Sequence, residues 1–334
     1  MSEIENKTAL ITGATGFVGP YLTRALLKKG YSCRCLVRDI EKARSLLRHE
    51  VELVKGDITR PETLEDICKG IDRVFHMATL GHLSNFVSGI ETFRSVNTQG
   101  TINVMEAALK AGVDRFLHVS TVAAMGISSD VPATEDTPFN PHTPYGISKM
   151  EAEEKVLQYG KEKGLPAVII RYSMVYGPRD YRDMLKLCKL AKKGLFPKIG
   201  SSAKLTPLVH VDDAVEGAIL AIEKGKIGEV YLITGDSSVE FDWIRKTILV
   251  ALGVRRPPLY IPEWPALFAA SIIEKLFLFV GRSPFVSRKN IESTLADRVF
   301  SIEKAKRDLG YAPRISPDKG IKQTVKWYKE QKWV

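Results

Sequence analysis

Thr8-Ala9-Leu10-Ile11-Thr12-Gly13-Ala14-Thr15-Gly16-Phe17-Val18-Gly19 decides the fold, because a short apolar run passes directly into three spaced glycines and then into a helical pattern reaching Lys29. Glycines at a strand-to-helix turn let the backbone approach a pyrophosphate and aim helix N-terminal amides at it. Without the strand before it and the helix after it, the same pattern would be an ordinary tight turn. In this context Gly13, Thr15, Gly16, Phe17, Val18 and Gly19 are candidate contacts to a dinucleotide.

Further apolar runs at 32–37, 51–54, 73–78, 115–120 and 167–172 alternate with helical patterns. Such alternation predicts a parallel sheet covered by helices on both faces. Gly30 is placed to stop the first helix, and Thr59-Arg60-Pro61-Glu62 combines a capping box with an early proline. After Tyr172 the pattern loosens to one more helix-strand pair at 212–234, then to an aromatic- and proline-rich stretch at 255–285. The fold class expected is α/β: a Rossmann-type doubly wound parallel sheet over 1–173 plus 206–234. A smaller, mostly helical substrate lobe is expected over 174–205 plus 235–334. The apolar stretch 264–280 is interrupted by Glu274 and Lys275 and falls short of the ~20 residues a spanning helix needs. It reads as a lid over an apolar pocket, with an interfacial helix as the alternative.

The chain has 334 residues, 44% hydrophobic and 26% charged, enough for a sizeable core plus a smaller lobe. Its start lacks the basic, apolar and small-residue segments of a secretory signal, so a cytoplasmic location is expected. Cys33, Cys35, Cys68 and Cys188 form neither a C-x-x-C pair nor a zinc-type cluster. They are expected to be buried apolar side chains, with no disulfide framework and no metal. A net charge of +10 could attract nucleic acid, anionic lipid or a phosphorylated cofactor, but the basic residues are spread along the whole chain, which disfavours nucleic acid.

At the end of the second strand, where an acidic side chain would accept from both ribose hydroxyls of NAD, stands Arg38. A guanidinium cannot accept those bonds but suits a 2′-phosphate, which favours NADP(H). NAD(H) is the alternative if Asp39 takes the ribose. Asp57 and Ile58, after the third strand, are placed for the adenine, although Asp57 also fits a turn. Tyr145 and Lys149 sit four residues apart on a helical segment, so they share a face. A phenol with a pKa of ~10 is a poor base near neutrality, but an adjacent ammonium and an oxidised nicotinamide favour phenolate. Ser120 and Thr121 end the fifth strand, whose C-terminus faces the ligand crevice; Thr121 is the preferred catalytic hydroxyl and Ser120 the reserve.

The glycine loop, Tyr145-x-x-x-Lys149 and strand-end Thr121, in this order, resemble the extended short-chain dehydrogenase/reductase family, also called the epimerase/dehydratase group. The resemblance runs nearly the full length and includes Phe75-His76-Met77-Ala78, Val96-Asn97-Thr98-Gln99-Gly100-Thr101, residues 171–180 and His210-Val211-Asp212-Asp213. It implies hydride transfer at nicotinamide C4, with Tyr145 moving the hydroxyl proton, Thr121 bonding that oxygen and Lys149 also holding the nicotinamide ribose. Ala78, Asn97, Ser120 and Tyr172 would lie near the cofactor. Members often dimerise through two helices, here 101–111 and 145–161, which makes a homodimer an expectation.

Nucleotide-sugar members carry asparagine in an Arg-x-x-Asn segment where this chain has Arg171-Tyr172-Ser173-Met174. Tyr176-Gly177-Pro178-Arg179-Asp180, Tyr260-Ile261-Pro262-Glu263-Trp264 and Asp297-Arg298-Val299-Phe300-Ser301 look more like the 3β-hydroxysteroid and sterol-4-carboxylate dehydrogenase branch. Tyr172, where that branch has proline, and Arg38 bring the dihydroflavonol-reductase-like branch equally close. The expected activity is interconversion of a secondary alcohol and ketone on an apolar small molecule, steroid-, isoprenoid- or acyl-like. Met174, Val175, Trp264 and Phe268 are its candidate contacts. The alternatives are a nucleotide-sugar 4-epimerase or dehydratase that recycles its cofactor internally, and a non-catalytic dinucleotide-binding regulator. Weak attachment to a membrane surface is a further expectation left open by the apolar stretch.

Overall fold

The computed structural model describes residues 7–47, 50–81, 89–127, 131–200, 204–255, 259–279, 288, 291–292 and 295–334. Seven strands form one parallel sheet: β1 (Thr8–Thr12), β2 (Ser32–Val37), β3 (Glu52–Lys55), β4 (Arg73–His76), β5 (Arg115–Thr121), β6 (Ala167–Tyr172) and β11 (Val230–Ile233). Their order, β11-β6-β5-β4-β1-β2-β3, reverses direction between β1 and β4. A crevice therefore opens outside the carboxyl ends of these two neighbours. The central strands are buried on both faces: every residue of β4 and β6 is buried, including Arg73, His76 and Arg171, rather than alternating with exposed ones.

Helices cover both faces. On one lie α1 (Gly19–Lys28) and α7 (Val211–Lys224), whose Leu22, Leu26, Ala214, Ala218 and Ile222 close a core with β1 and β6. On the other lie α4 (Gly100–Ala111) and α5 (Pro144–Lys163), which contribute Val104, Met105, Ala108 and Val156. Val156 faces its own sheet, whereas Ile147 and Met150 are half-buried. Helix α2 (Ile40–Leu47) is capped by Asp39, whose Oδ1 accepts from Lys42 N at 3.0 Å. A short α3 (Ile90–Phe93) runs through a π-helical turn, Arg94–Gln99, into α4.

Beyond β6 come β7 (Met174–Tyr176), α6 (Asp183–Lys192), β8 (Lys198–Ile199), β9 (Leu205–Thr206) and β10 (Leu208–His210). After β11 follow β12 (Val239–Glu240), α8 (Phe241–Leu252), β13 (Tyr260–Ile261), α9 (Glu263–Phe279), α10 (Glu303–Leu309) and α11 (Pro317–Glu330). Tyr176, Met184, Cys188, Ile244, Ile248, Val325 and Tyr328 make the lobe's core from α6, α8 and α11. Ile302, Ala305, Leu309 and Tyr311 instead join the core beneath β11, so the chain returns to the sheet before α11 closes the lobe.

Two readings need correction. Thr59 does not start a helix: only one 3₁₀ turn, Pro61–Thr63, forms, without a side-chain cap. Asp57 Oδ1 takes both the amide and the hydroxyl of Thr59, at 2.9 Å each, while Thr63 Oγ1 donates to the Arg60 carbonyl at 2.8 Å. These local bonds compete with helix formation. Helix α9 is formed as expected, but Trp264 and Phe268 point outward, 74% and 63% exposed, so they line no enclosed pocket. Val280 and residues 281–287 lie outside the described residues. Among the described residues no helix is long and apolar enough to cross a membrane.

Candidate active site

The glycine loop sits at the point where the sheet reverses. Gly13 has φ +74°, and a Cβ there would lie 2.8 Å from Met77 C and Ala78 N, the backbone leaving β4. At Gly19 a Cβ would come within 2.2 Å of the Ala14 carbonyl oxygen. Both glycines are thus required by close backbone approach as well as by the turn. Helix α1 begins after Val18 with no side-chain cap and with Pro20 in its first turn, so its positive N-terminal end lies directly beside the loop. Thr15 and Gly16 are half-buried, and Phe17 is buried with the Arg182 guanidinium 5.1 Å over its ring. A glycine loop packed this tightly between β1, the backbone leaving β4 and the start of α1 fits the close backbone approach a dinucleotide pyrophosphate needs.

At the far side of the crevice Arg38 is exposed at the end of β2. Asp57 follows β3; burial pushes its carboxyl up, but hydrogen bonds from Thr59 and the charges of Arg38 and Arg60 outweigh that and hold it below the usual range. Its Asx turn is the structural role the sequence allowed. Ile58 is buried against Gly100, and its carbonyl accepts from Asn103.

Helix α5 starts cleanly because Thr143 Oγ1 accepts from Gly146 N at 3.0 Å and Pro144 occupies the first turn. That start places Tyr145 against the end of β5, where its phenol bonds with Thr121 and Thr79. Burial raises the Tyr145 pKa above its ordinary value; the Arg182 charge and the two hydroxyls pull it back only in part. The expectation that Lys149 lowers it directly needs revision. Lys149 is 2% exposed and donates to Val119 O at 2.9 Å and His118 Nε2 at 3.1 Å. Burial brings its pKa down to about 8, against the pull of Glu153.

His118 stacks on His76 at 5.6 Å, and burial together with the Lys149 charge keeps both rings neutral, His76 at about 3. Thr101 Oγ1 already donates to Asn97 O, so it accepts from His76 Nε2, and His76 Nδ1 accepts from Thr12 Oγ1 at 2.8 Å. The same Thr12 oxygen receives the amides of Met77 and Ala78. Asn97, in the π-helical turn, donates to Ser148 Oγ at 2.9 Å and accepts from Leu80 N at 2.7 Å and Thr79 Oγ1 at 2.9 Å. A local widening of a helix by one residue often marks a functional site.

Other candidates land elsewhere. Ser120 is buried with its hydroxyl committed to Glu153, which leaves Thr121 as the strand-end hydroxyl beside the tyrosine. Tyr172 is buried and donates to Ala214 O at 2.6 Å, so its hydroxyl serves the core rather than the crevice. Met174 and Val175 are half-buried in β7, which pairs with β10. Glu153, Arg171, His118, Thr79 and Arg182 were not singled out from sequence as side chains of the site. A Tyr145, Lys149, Glu153 series at four-residue spacing on a buried helix face was the available signal. Among the described residues no group of three His, Cys, Asp or Glu side chains is placed to hold a metal ion.

With this geometry in place, residues 9–234 match the NAD dependent epimerase/dehydratase family, and the chain belongs to it. It is 30% identical over 93% of both chains to the 4-hydroxy-2-methyl-3-oxo-4-farnesyl-3,4-dihydroquinoline-1-oxide ketoreductase of Stigmatella aurantiaca. It is also 30% identical to the decarboxylating sterol-4-alpha-carboxylate 3-dehydrogenase of Mus musculus, over 96% of this chain and 90% of that one. Among solved structures, UDP-glucose 4-epimerase with UDP-glucose from Thermotoga maritima superposes with a TM-score of 0.79 at 25% identity, covering 97% of this chain and 99% of that one. The fold is the extended short-chain dehydrogenase/reductase fold, and the relatives are oxidoreductases and epimerases.

Proposed function

We propose that the protein is an NADP-dependent oxidoreductase interconverting a secondary alcohol and a ketone on an apolar small molecule. The observation that carries this reading is the Tyr145–Thr121 hydroxyl pair, held at the carboxyl end of β5 beside the glycine loop. Bound nicotinamide would supply or take the hydride at its C4. In the reducing direction the Tyr145 hydroxyl donates its proton to the substrate oxygen while Thr121 Oγ1 holds that oxygen. The loop backbone from Gly13 to Gly19 at the N-terminus of α1 would hold the pyrophosphate, with Ala78 and Asn97 lining the nicotinamide half. Lys149 would leave His118 for the nicotinamide ribose, bringing its charge toward the phenol and so favouring phenolate.

Arg38 supports NADP over NAD, and the use of Asp39 as the α2 cap supports leaving the ribose to Arg38. The ketoreductase relative supports an apolar ketone as the substrate class. A second reading, epimerisation of a nucleotide sugar, draws on the Thermotoga relative and on an open surface groove along α6. Arg182, Lys186, Lys189 and Lys193 line that groove, and such cations suit a diphosphate.

Titration with NADP(H) and NAD(H), each repeated on Arg38→Ala, tests the cofactor. NADP(H) is expected to bind more tightly, and the substitution to erase that preference. Tyr145→Phe is expected to lower ketone reduction by about 10²–10⁴-fold while cofactor binding persists. Conversion of UDP-glucose to its 4-epimer with no net cofactor oxidation, and no turnover of apolar ketones, would replace the first reading by the second. Unchanged turnover in Tyr145→Phe would remove both.

A further inference from the structure

Helix α9 carries Trp264, Phe268, Ile272, Leu276 and Phe279 at successive turns, 74%, 63%, 44%, 61% and 91% exposed. Its inward side is held by Ala266, Ala270 and partly buried Leu267, which pack with Ile199, Ile261, Ile291 and Leu295. A surface helix ordinarily presents its polar face to water; α9 does the reverse, with an apolar ridge along its length of about 25 Å. The ridge is continued by Leu259 and Tyr260 at 63% and 51% exposure, and Tyr260 pairs in register with Lys198 of β8. The segment leading to β8 adds exposed Lys192, Lys193 and Leu195. An exposed apolar surface of this extent marks an interaction site.

The charges around it select the occupant. Lys275 of α9 is exposed, as are Lys192 and Lys193 on the segment leading to β8, which pairs with β13 just before α9. The nearby acids are engaged: Glu274 accepts from Arg288 N at 3.0 Å, Glu292 pairs with Arg288 at 2.7 Å, and the Glu263 carboxylate lies against Gly200. A second copy of a chain carrying +10 would meet like charge here. An anionic bilayer would meet apolar side chains flanked by cations, and among the described residues no helix is long and apolar enough to cross it. We propose that α9 with the β8–β13 edge docks the protein on an anionic lipid surface, the ridge entering the acyl boundary and the lysines reaching the headgroups. This stands independently of the reaction proposed above.

The test is co-sedimentation of the full chain with phosphatidylcholine vesicles and with vesicles that also contain phosphatidylglycerol, at low and raised salt. Binding is expected on the anionic vesicles, weaker on phosphatidylcholine alone and reduced by salt. The triple variant Ile272→Ser/Leu276→Ser/Phe279→Ser is expected to bind at least about tenfold more weakly, with unchanged melting temperature because all three side chains are exposed. Lys192→Glu/Lys193→Glu/Lys275→Glu is expected to lose the preference for anionic vesicles with the ridge intact. Brominated lipid should quench fluorescence in the wild type and much less in Trp264→Phe. Absence of vesicle binding, or full binding by the triple serine variant, overturns the proposal. So does self-association in lipid-free buffer that the triple serine variant abolishes, which would make the ridge an interface between copies.

Discussion

Lys149 illustrates how a buried cation can be held ready. Its ammonium rests on His118 Nε2 and the Val119 carbonyl, and burial brings its pKa down to about 8 from the ordinary 10.5. Between those two values the unfolded chain binds the proton and the folded chain releases it, so this group's contribution to stability rises with pH across that window. In its proposed role of holding a cofactor the effect would run the other way, because the neutral amine loses its charge. Cofactor affinity is therefore expected to fall as pH rises through about 8 while the melting temperature does not fall with it. Lys149→Met is expected to bind more weakly and without that pH dependence; a persistent pH dependence in the variant would assign it to another group. Tyr145-x-x-x-Lys149 was legible in the sequence because helical spacing alone puts the two on one face. The lysine's direction was not, since His118 lies 31 residues away in the chain.

At the level of elements, α5 is locked to the sheet by one buried ion pair. Arg171 on β6 meets Glu153 on α5 at 2.9 Å, with side chains 4% and 0% exposed; Ser120 of β5 donates to the same carboxylate, and Arg171 also stacks 4.8 Å from the Phe139 ring. Removing one partner leaves a buried charge uncompensated. Arg171→Met is expected to cost about 3–5 kcal/mol of stability, read as a lowered denaturation midpoint. Glu153→Gln/Arg171→Met should recover part of that loss. Because the pair sets where Tyr145 meets Thr121, both variants are expected to reduce kcat more than they raise KM. Equal stability of single and double variants would show that the pair is not a coupled unit. The helix itself was legible from its helical pattern at Tyr145 to Lys149, whereas its Thr143 cap and Pro144 start emerged only with the structure. The partner of Glu153 was not, because an acid on a helix is most often solvated and only the packing of α5 on β5 and β6 buries this one.

Across the whole molecule, the four cysteines report on the integrity of the two lobes. Cys33 and Cys35 lie in the core under α1, Cys68 in the opposite core and Cys188 in the lobe; burial pushes all four thiols up to about 12. A thiol reagent is expected to label none of them in the folded chain and all four in denaturant. Selective labelling of Cys188 under mild conditions would mean that the lobe opens separately from the sheet. The sequence by itself determined the parallel sheet, the glycine loop between β1 and α1, the helix that bears Tyr145 and the family resemblance. Each of these is written in neighbouring residues through apolar runs, glycine spacing and helical periodicity. Only the tertiary structure decided that Ser120 and Tyr172 turn their hydroxyls inward, that Lys149 rests on His118, and that α9 faces outward. Those outcomes depend on which distant side chains and cores arrive at each position, and local pattern carries no record of them.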